Sequence, residues 1–295
     1  MKVQDGRLCD ASGAAIQLRG MSSHDLKQFP FGTNTVECLA RDWGVTLVRA
    51  AMYTDSYGSS YIRDPKVKED VRRIIDGALR AGIYVIVDWH ILEDGNPNRY
   101  REQARDFFAE MTRAYGDKPN LIYEICNEPN GTNVDWNSIK SYAEFIIPAI
   151  RKTDPNRVII VGTDSWCQGL RAAAEDPLGY SNVLYALHFY TGTHRDNLRA
   201  SADTALTKGL GIFVSEWGLT DYTGKGAIYP EEAARWLAWM NQHGISWANW
   251  SMSNADEASA ALRPAAGMNG PWAETDLTPS GKWIRDRMRA ATDTR

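Results

Sequence analysis

Residues 83–90 read Ile-Tyr-Val-Ile-Val-Asp-Trp-His, a short apolar run that ends in polar side chains. Its length and its valines and isoleucines are typical of a buried β-strand, since a buried helix usually needs ten or more residues. Runs of the same kind recur along the chain. They lie at residues 16–18, 46–49, 121–124, 158–161, 183–187, 212–215 and 246–250. The sequence therefore predicts eight strands.

Amphipathic segments separate these runs. In residues 64–80, Val67, Val71 and Ala78 share one face of a predicted helix, and Pro65 suits its first turn. Further helical patterns cover residues 98–115, 135–152 and 230–243. Strands that alternate with helices over a chain of 295 residues favour an α/β fold, a closed (β/α)8 TIM barrel, over an open sheet.

The first 15 residues predict a short β-hairpin. Turn signals occur at Asp5-Gly6 and Ser12-Gly13, and a hairpin here would close the lower end of the barrel. The chain shows no linker, internal repeat or low-complexity segment. We therefore expect residues 1–295 to form one catalytic domain.

Composition narrows the class of protein. The formal net charge is −4 and no segment is rich in lysine or arginine, which argues against a nucleic-acid partner. No apolar stretch approaches the ~20 residues that span a bilayer. The amino end has no basic-then-apolar leader, as expected of a mature or trimmed chain. Four cysteines lie far apart, without CxxC pairs, and are expected to be buried or unpaired thiols: Cys9, Cys38, Cys126 and Cys167.

Polar and aromatic residues stand at the carboxyl ends of most predicted strands. They are Arg49, Asp88, His90, Asn127, Glu128, His188, Tyr190, Glu216 and Trp250. In a parallel barrel these ends converge on one face, where the loops after the strands build the active site. One such residue is as readily structural as functional, but the convergence of so many predicts a site.

Two glutamates carry the chemistry of that site. Glu128 lies in Tyr123-Glu-Ile-Cys-Asn-Glu-Pro129, and Glu216 lies in Phe213-Val-Ser-Glu-Trp-Gly218. Glycoside hydrolysis needs one carboxylic acid to protonate the leaving oxygen and a second carboxylate to attack or to activate water. Carboxyl groups about 5–5.5 Å apart would make the reaction retaining. Either glutamate alone could be a salt-bridged structural residue, and the sequence does not give their separation.

Neighbouring residues suit the two roles. Asn127 offers an amide to the 2-hydroxyl of a sugar, and Tyr190 and Arg49 can donate hydrogen bonds that keep Glu216 ionised. Glu128 must instead begin the reaction protonated. Two chemically identical groups therefore need opposite environments.

These motifs together resemble glycoside hydrolase family 5. The resemblance is carried by Leu18-Arg-Gly-Met-Ser-Ser-His24, Asp88-Trp-His90, Asn127-Glu-Pro129, His188-Phe-Tyr190, Glu216-Trp-Gly218, Trp247-Ala-Asn-Trp250 and Pro279-Ser-Gly281. They span nearly the whole chain and are most similar to bacterial endoglucanases of the Bacillus type. The eight residues characteristic of the family are matched by Arg49, His90, Asn127, Glu128, His188, Tyr190, Glu216 and Trp250.

The resemblance implies roles for these residues. Glu128 would be the acid/base and Glu216 the nucleophile that forms a covalent glycosyl-enzyme. His90 and Asn127 would hold the sugar at subsite −1, with Trp250 stacked beneath it, while His188 and Tyr190 would orient the carboxylates. Further implied substrate contacts are His24, Tyr53, Trp166 and Glu257.

The family also implies several general properties. The reaction uses carboxylates alone, so neither a metal nor a cofactor is expected. The partner would be a polysaccharide, the enzyme would act as a secreted monomer, and a cis peptide bond would follow Trp250.

The donor side departs from the pattern of close relatives. Gln28 stands where a stacking tryptophan is usual, and Ala255 where a sugar-binding lysine is usual. Tyr222 could restore a stacking surface near subsite −2. Asp25 and Glu93, together with the lysine lost at position 255, would make the donor side more acidic, which would favour a cationic glucosamine polymer.

The predicted function is that of a retaining endo-β-1,4-glucanase acting on cellulose or β-glucan. Chitosan hydrolysis is the alternative that the acidic donor side suggests. A catalytically silent carbohydrate-binding barrel is a different class, which retention of both glutamates argues against. Mannan and xylan stay open as substrates, because one fold hosts many specificities.

Overall fold

The computed structural model describes residues 1–56 and 60–292. It begins with an antiparallel hairpin of β1 (Lys2–Gln4) and β2 (Arg7–Cys9). The turn residues Asp5 and Gly6 have φ values of 49° and 72°, the left-handed conformation that tight hairpin turns require. Leu8 packs into an apolar cluster at the lower end of the barrel. The predicted hairpin and its position are therefore confirmed.

Eight parallel strands close into a barrel after this hairpin. They are β3 (Arg19–Ser23), β4 (Leu47–Tyr53), β5 (Tyr84–His90), β6 (Leu121–Glu124), β7 (Ile159–Val161), β8 (Val183–Tyr190), β9 (Ile212–Gly218) and β10 (Trp247–Met252). Neighbours in the chain are neighbours in the sheet, and β10 pairs with β3 to complete the circle. The predicted (β/α)8 TIM barrel is confirmed.

The first barrel strand differs from the prediction. Residues 16–18 were expected to form it, but the strand follows at Arg19–Ser23. Leu18 lies just below the barrel, where its carbonyl accepts the Trp247 amide at 2.9 Å. The strand was missed because its buried inward side chains are small: Gly20 lies so close to β4 that a Cβ would meet the Leu47 carbonyl oxygen at 2.1 Å.

Helices surround the barrel on the outside. They lie at Thr33–Cys38, Lys68–Ala81, Arg101–Tyr115, Trp136–Arg151, Leu170–Glu175, Asp196–Thr207, Pro230–His243 and Pro279–Thr292, with 3-10 turns at Pro65–Val67, Pro97–Tyr100 and Glu274–Asp276 and a π-helical turn at Leu39–Trp43. The four predicted helices are present. Asp135 begins one of them by accepting the Ser138 amide, a capping box, and left-handed Gly82 ends another.

The barrel interior is apolar below and charged above. Side chains two residues apart on a strand point to the same face, so Leu47 and Arg49 both point inward, as do Ile122 and Glu124. The lower members belong to an apolar cluster together with Phe213. The upper members are fully buried charges. Strand alternation thus places the polar groups directly beneath the carboxyl-end face.

The cysteines and the helices can be described in the folded chain. All four cysteines are buried and unbonded to one another. Within residues 1–56 and 60–292, every helix is too short or too polar to cross a lipid bilayer.

Candidate active site

The two glutamates meet at the carboxyl end of the barrel. Glu128 follows β6, and Glu216 is the fifth residue of β9. One carboxylate oxygen of each, with one ring nitrogen of His188, lie within 4.8 Å of one another. This separation is close to the roughly 5–5.5 Å found between the carboxyl groups of retaining glycosidases. Glu128 has φ 25°, a strained backbone of the kind that functional residues often adopt.

Arg49 connects the site from beneath. Its Nη1 donates to Glu216 at 2.9 Å, its Nε to Glu124 at 2.7 Å and its Nη2 to Asn127 at 2.7 Å. Asp88 lies 3.0 Å from the same Nη2. The guanidinium is completely buried, so its positive charge interacts with these groups in a medium of low dielectric.

Tyr190 holds the other oxygen of Glu216. Its hydroxyl donates to Oε1 at 2.7 Å, while Arg49 donates to Oε2. Burial and the negative charge of Glu216 raise the pKa of Tyr190 well above its usual value, so the phenol keeps its proton. Two donors on opposite oxygens fix the direction of the Glu216 carboxylate.

His188 faces Glu128. Its Nδ1 lies 3.0 Å from Glu128 Oε1, and its Nε2 lies 2.9 Å from the Ser215 hydroxyl. Burial by itself would lower the pKa of His188, but interactions with Glu124 and Glu128 and the charge of Glu216 raise it to about 9. His188 is therefore an imidazolium at neutral pH.

His90 is instead neutral. Burial and the positive charge of Arg49 lower its pKa to about 3. Its Nδ1 lies 2.7 Å from the Asp88 carboxylate, so the ring proton is on Nδ1 and Nε2 is left as an acceptor. Asn127 is fixed beside it, since its amide nitrogen donates to the Ile91 carbonyl at 2.9 Å.

An aromatic wall borders these polar groups. The rings of Trp250 and His90 stack at 5.5 Å and 11°, and Tyr53 meets His90 edge-on at 4.6 Å. His24 packs on Trp250 at 4.9 Å, and its Nε2 lies 3.9 Å from Glu257. The Trp250–Ser251 peptide is cis, as the resemblance implied.

A cleft of about 830 Å³ contains the whole assembly. Two large aromatic side chains on its lining are exposed: Trp166 by 52% and Tyr222 by 71%. Trp166 belongs to a left-handed turn, and its amide donates to the carbonyl of Pro129, next to Glu128. All thirteen side chains predicted for the site are thus in or beneath one cleft; the roles of individual residues stay predictions.

The three positions expected to make the donor side more acidic do not all lie in the cleft. Glu93 is exposed outside the cleft, and Ala255 lies in a neighbouring depression. Asp25 lines the cleft, but its carboxylate accepts the amides of Lys27 and Gln28 at 2.8 and 3.1 Å. In addition, Lys225 lines the cleft beside Glu257, where its charge acts to lower the pKa that burial raises. Sequence spacing does not show which side chains face the cleft, and of these three positions only Asp25 lines it.

Glu128, His188 and Glu216 also form a cluster that could present three ligand atoms to a metal ion. Their atoms already bond to one another and to Tyr190 and Ser215. The Arg49 guanidinium, 2.9 Å from Glu216, opposes a further positive charge. The arrangement therefore suits proton transfer better than metal binding.

Known proteins are similar to this chain in both sequence and fold. A family model described as cellulase (glycosyl hydrolase family 5) matches residues 9–256. The chain is 51% identical to endoglucanase A of Evansella cellulosilytica over 280 residues, which cover 94% of this chain and 57% of that protein. It is 47% identical to an endoglucanase of Clostridium saccharobutylicum over 298 residues, which cover 100% of this chain and 66% of that protein. The chain belongs to glycoside hydrolase family 5.

Solved structures of family 5 enzymes have the same fold as this chain. The catalytic domain of Thermobifida fusca endoglucanase Cel5A superposes with a TM-score of 0.92 at 38% identity, over 98% of this chain and 96% of that one. An E355Q variant of that protein was solved in complex with cellotetraose. The present chain spans 57% and 66% of the lengths of the two curated relatives above. The sequence resemblance to family 5 is confirmed.

Three residues of this family 5 site were not predicted. Glu124 and Ser215 lie beneath the catalytic pair, and Lys225 lies on the cleft wall. A signal for Glu124 was present, because it follows inward-pointing Ile122 by two residues. Ser215 and Lys225 carried no comparable signal, since a serine in a strand and a lysine in a loop are ordinary.

Proposed function

We propose that this family 5 chain is a retaining endo-β-1,4-glucanase that cleaves internal bonds of cellulose or mixed-linkage β-glucan. The observation that carries the proposal is the separation of the Glu128 and Glu216 oxygens, within 4.8 Å. This distance leaves room for an anomeric carbon between nucleophile and acid but none for a water molecule behind the sugar. The endoglucanase names of the relatives support the same activity.

In the first step Glu216 attacks the anomeric carbon. The bond from that carbon to the glycosidic oxygen breaks as the new ester bond forms, and the proton of Glu128 passes to the departing oxygen. Arg49 and Tyr190 keep Glu216 anionic and aligned before attack. Alignment by two donors favours a reactive geometry, because it removes rotational freedom in advance.

In the second step water replaces the nucleophile. Glu128, now a carboxylate, takes a proton from the water while the water oxygen attacks the anomeric carbon. The ester bond to Glu216 breaks, and Glu216 leaves as a carboxylate. Two inversions at one carbon give net retention. His188 donates toward Glu128 at 3.0 Å and stabilises its anionic form at this stage.

Substrate binding uses the polar atoms left free within the cleft. The Asn127 oxygen accepts from Arg49, and one of its amide hydrogens goes to the Ile91 carbonyl. The other has only a long contact of 3.5 Å to His90 Nε2, which the sugar 2-hydroxyl can replace. The neutral His90 offers an Nε2 acceptor. Trp250 provides an apolar ring on which a pyranose face can stack.

An endo mode of attack fits the open length of the cleft. Trp166 marks the end beside Glu128, and Tyr222 lies by the loop that carries Lys225. We assign Trp166 to the acceptor side and His24, Tyr53, Tyr222 and Glu257 to the donor side. Because exposed aromatic side chains line the cleft on both the acceptor and the donor side, a long chain can contact both across the catalytic pair.

A neutral glucan fits this cleft better than chitosan. The ammonium of Lys225 repels a glucosamine unit on the donor side, and the Asp25 carboxylate is already bonded to backbone amides. A silent binding protein is also disfavoured, because both glutamates keep their hydrogen-bonded partners.

We further propose that residues 1–295 act as one secreted, monomeric catalytic domain. The continuous core that joins the barrel to its helices supports a single unit. A polymeric substrate outside the cell supports secretion. Size-exclusion chromatography with light scattering would give the oligomeric state, and a dimer would contradict it.

Product analysis tests the function. The chain should release cello-oligosaccharides from carboxymethylcellulose and barley β-glucan, but no oligomers from chitosan, mannan or xylan. Proton NMR during early turnover of cellopentaose should show the β-anomer first. An α-anomer would contradict retention, and activity left in Glu216→Gln would contradict the assigned nucleophile.

A further inference from the structure

A fully buried carboxylate lies beneath the catalytic pair without touching either glutamate in a hydrogen bond. Glu124 accepts from Arg49 Nε at 2.7 Å on Oε2 and from the Ser215 hydroxyl at 2.6 Å on Oε1. Burial alone would raise the pKa of Glu124, but the charges of Arg49 and His188 lower it to about 2. Glu124 is therefore ionised and can only accept hydrogen bonds.

This fixes the direction of the next bond. Ser215 has one hydroxyl proton, and that proton points to Glu124. The Ser215 oxygen can then only accept from His188 Nε2, which lies 2.9 Å away. Consequently Nε2 of His188 must carry a hydrogen, and only Nδ1, the atom that faces Glu128, is free to change its protonation.

We infer that Glu124 and Ser215 are positioning residues for the acid/base Glu128. They accept the Nε2 hydrogen of the His188 imidazolium, whose second ring hydrogen, on Nδ1, donates to Glu128 Oε1, so that the acid proton is held on Oε2. Oε2 has no hydrogen-bond partner among residues 1–56 and 60–292, which leaves it available to the leaving oxygen. The inference rests on the proposed role of Glu128.

The surroundings of His188 support this arrangement. Charged and titratable groups face it from several strands: Glu124, Glu128, Glu216, Asp88, Arg49 and His90. Negative groups contact both ring nitrogens, directly at Nδ1 and through Ser215 at Nε2. An imidazolium, with a hydrogen on each nitrogen, satisfies both contacts at once.

Two variants would disturb the chain of hydrogen bonds differently. Ser215→Ala removes the link. Glu124→Gln introduces an amide that can donate to the Ser215 oxygen, which lets the hydroxyl turn toward His188 Nε2 and reverses the direction of the chain. Ser246→Ala is the matched control, because Ser246 is a buried serine at the amino end of the neighbouring strand, where it bonds the Leu18 amide.

Leaving-group dependence separates positioning from general damage. On cellopentaose, whose leaving sugar needs a proton, kcat/KM should fall about tenfold in Ser215→Ala, part of the roughly 10²–10⁴-fold that general acid catalysis contributes. It should fall less in Glu124→Gln, because the reversed chain leaves a hydrogen on Nδ1. On 2,4-dinitrophenyl β-cellobioside, whose leaving group needs no proton, it should stay within about twofold. Ser215→Thr, which keeps a hydroxyl, should restore the cellopentaose rate, and Ser246→Ala should affect neither substrate.

A spectroscopic measurement gives a readout independent of activity. In the wild type near neutral pH, ¹⁵N NMR should show both ring nitrogens of His188 protonated, and in Ser215→Ala part of the population should lose the hydrogen on Nε2. Equal losses on both substrates, or a wild-type His188 protonated only on Nδ1, would overturn the inference. Should Glu124→Gln fail to fold, Ser215→Ala carries the test. A wild type without glucanase activity would refute the proposed function, and the NMR result would still decide the tautomer.

Discussion

The guanidinium of Arg49 lies 2.9 Å from the carboxylate of Glu216. Arg49 is on β4 and Glu216 is on β9, two strands that are not neighbours in the barrel. Both side chains are buried, so their charges are screened little by solvent. The same guanidinium binds Glu124 and Asn127 through its other nitrogens. A single planar cation therefore holds the proposed nucleophile, Glu216, and the Asn127 amide in a fixed relation.

Arg49→Lys should show that the planar shape matters as well as the charge. A lysine ammonium cannot bond Glu216, Glu124 and Asn127 in one plane. We expect kcat to fall about 10²–10³-fold, the usual loss for a preorganised donor. Arg157→Lys is the control, because Arg157 is a buried arginine that bonds the Leu121 carbonyl. It should lower the unfolding temperature and leave kcat intact; equal kcat losses would contradict the prediction.

Tyr190→Phe should slow the reaction without unfolding the protein. It removes the 2.7 Å hydrogen bond to Glu216 but keeps the ring. A hydrogen bond to a charged group is worth about 1.5–3 kcal/mol, so kcat should fall roughly 10–100-fold. Tyr142→Phe removes a comparable buried bond, to the Ile125 carbonyl at 2.6 Å, and should change stability only. A wild-type kcat in Tyr190→Phe would refute the assignment.

The exposed aromatic residues should govern binding of long chains. Trp166→Ala and Tyr222→Ala each remove a stacking surface worth about 1 kcal/mol, or about fivefold in KM. The increase should appear with cellohexaose and disappear with cellobiosides too short to reach them. Tyr229→Ala is the comparison, since Tyr229 lies outside the cleft with Arg195 over its ring at 5.3 Å. If Tyr229→Ala raises KM for long substrates to the same extent, Trp166 and Tyr222 are wrongly assigned as stacking surfaces.

Acidification should destabilise the protein through its buried neutral histidines. Burial lowers the pKa of His90 to about 3 and that of His24 to about 4, whereas an unfolded histidine titrates near 6.5. Below pH ~6.5 the unfolded chain therefore binds more protons, so the free energy of unfolding falls as the pH falls toward 3. His188, with its pKa raised to about 9, acts oppositely: its contribution is complete below ~6.5 and is lost as the pH rises to 9.

Urea unfolding between pH 3 and 9 would measure this dependence. The stability maximum should lie near pH 6.5, with declines on both sides. His24→Asn should reduce the acid-side slope, and His243→Asn, at the opposite end of the barrel, serves as the control. A stability that rises on acidification from pH 6.5 to 4 would contradict the prediction.

Much of the fold could be predicted because its signals are local. Short runs such as residues 121–124 and helices such as Pro230–His243 were predicted with their observed bounds. The strand at Arg19–Ser23 could not be, because Gly20 and Ser22 are its inward-facing residues and leave no apolar run. Its length was set by pairing with β4 and β10, which are distant in the chain.

In the candidate site too, some features could be predicted from the sequence and others could not. Glu128 and Glu216 stood out because both follow apolar runs in recognisable motifs. The charge of the donor side could not be predicted from spacing, since Glu93 is exposed outside the cleft and Lys225 lines it from a different loop. Whether a loop side chain faces a cleft depends on how the loop packs, and no periodicity records that.

The sequence alone determined the barrel, the identity of its two catalytic candidates and the family, because alternation along each strand sets which side chains point inward. Only the tertiary structure decided that Glu128 and Glu216 approach within 4.8 Å, and that Ser215 directs its proton to Glu124. Those relations depend on the stagger and closure of strands far apart in the chain. Local sequence patterns specify directions, whereas distances across a barrel follow from how all eight strands pack together.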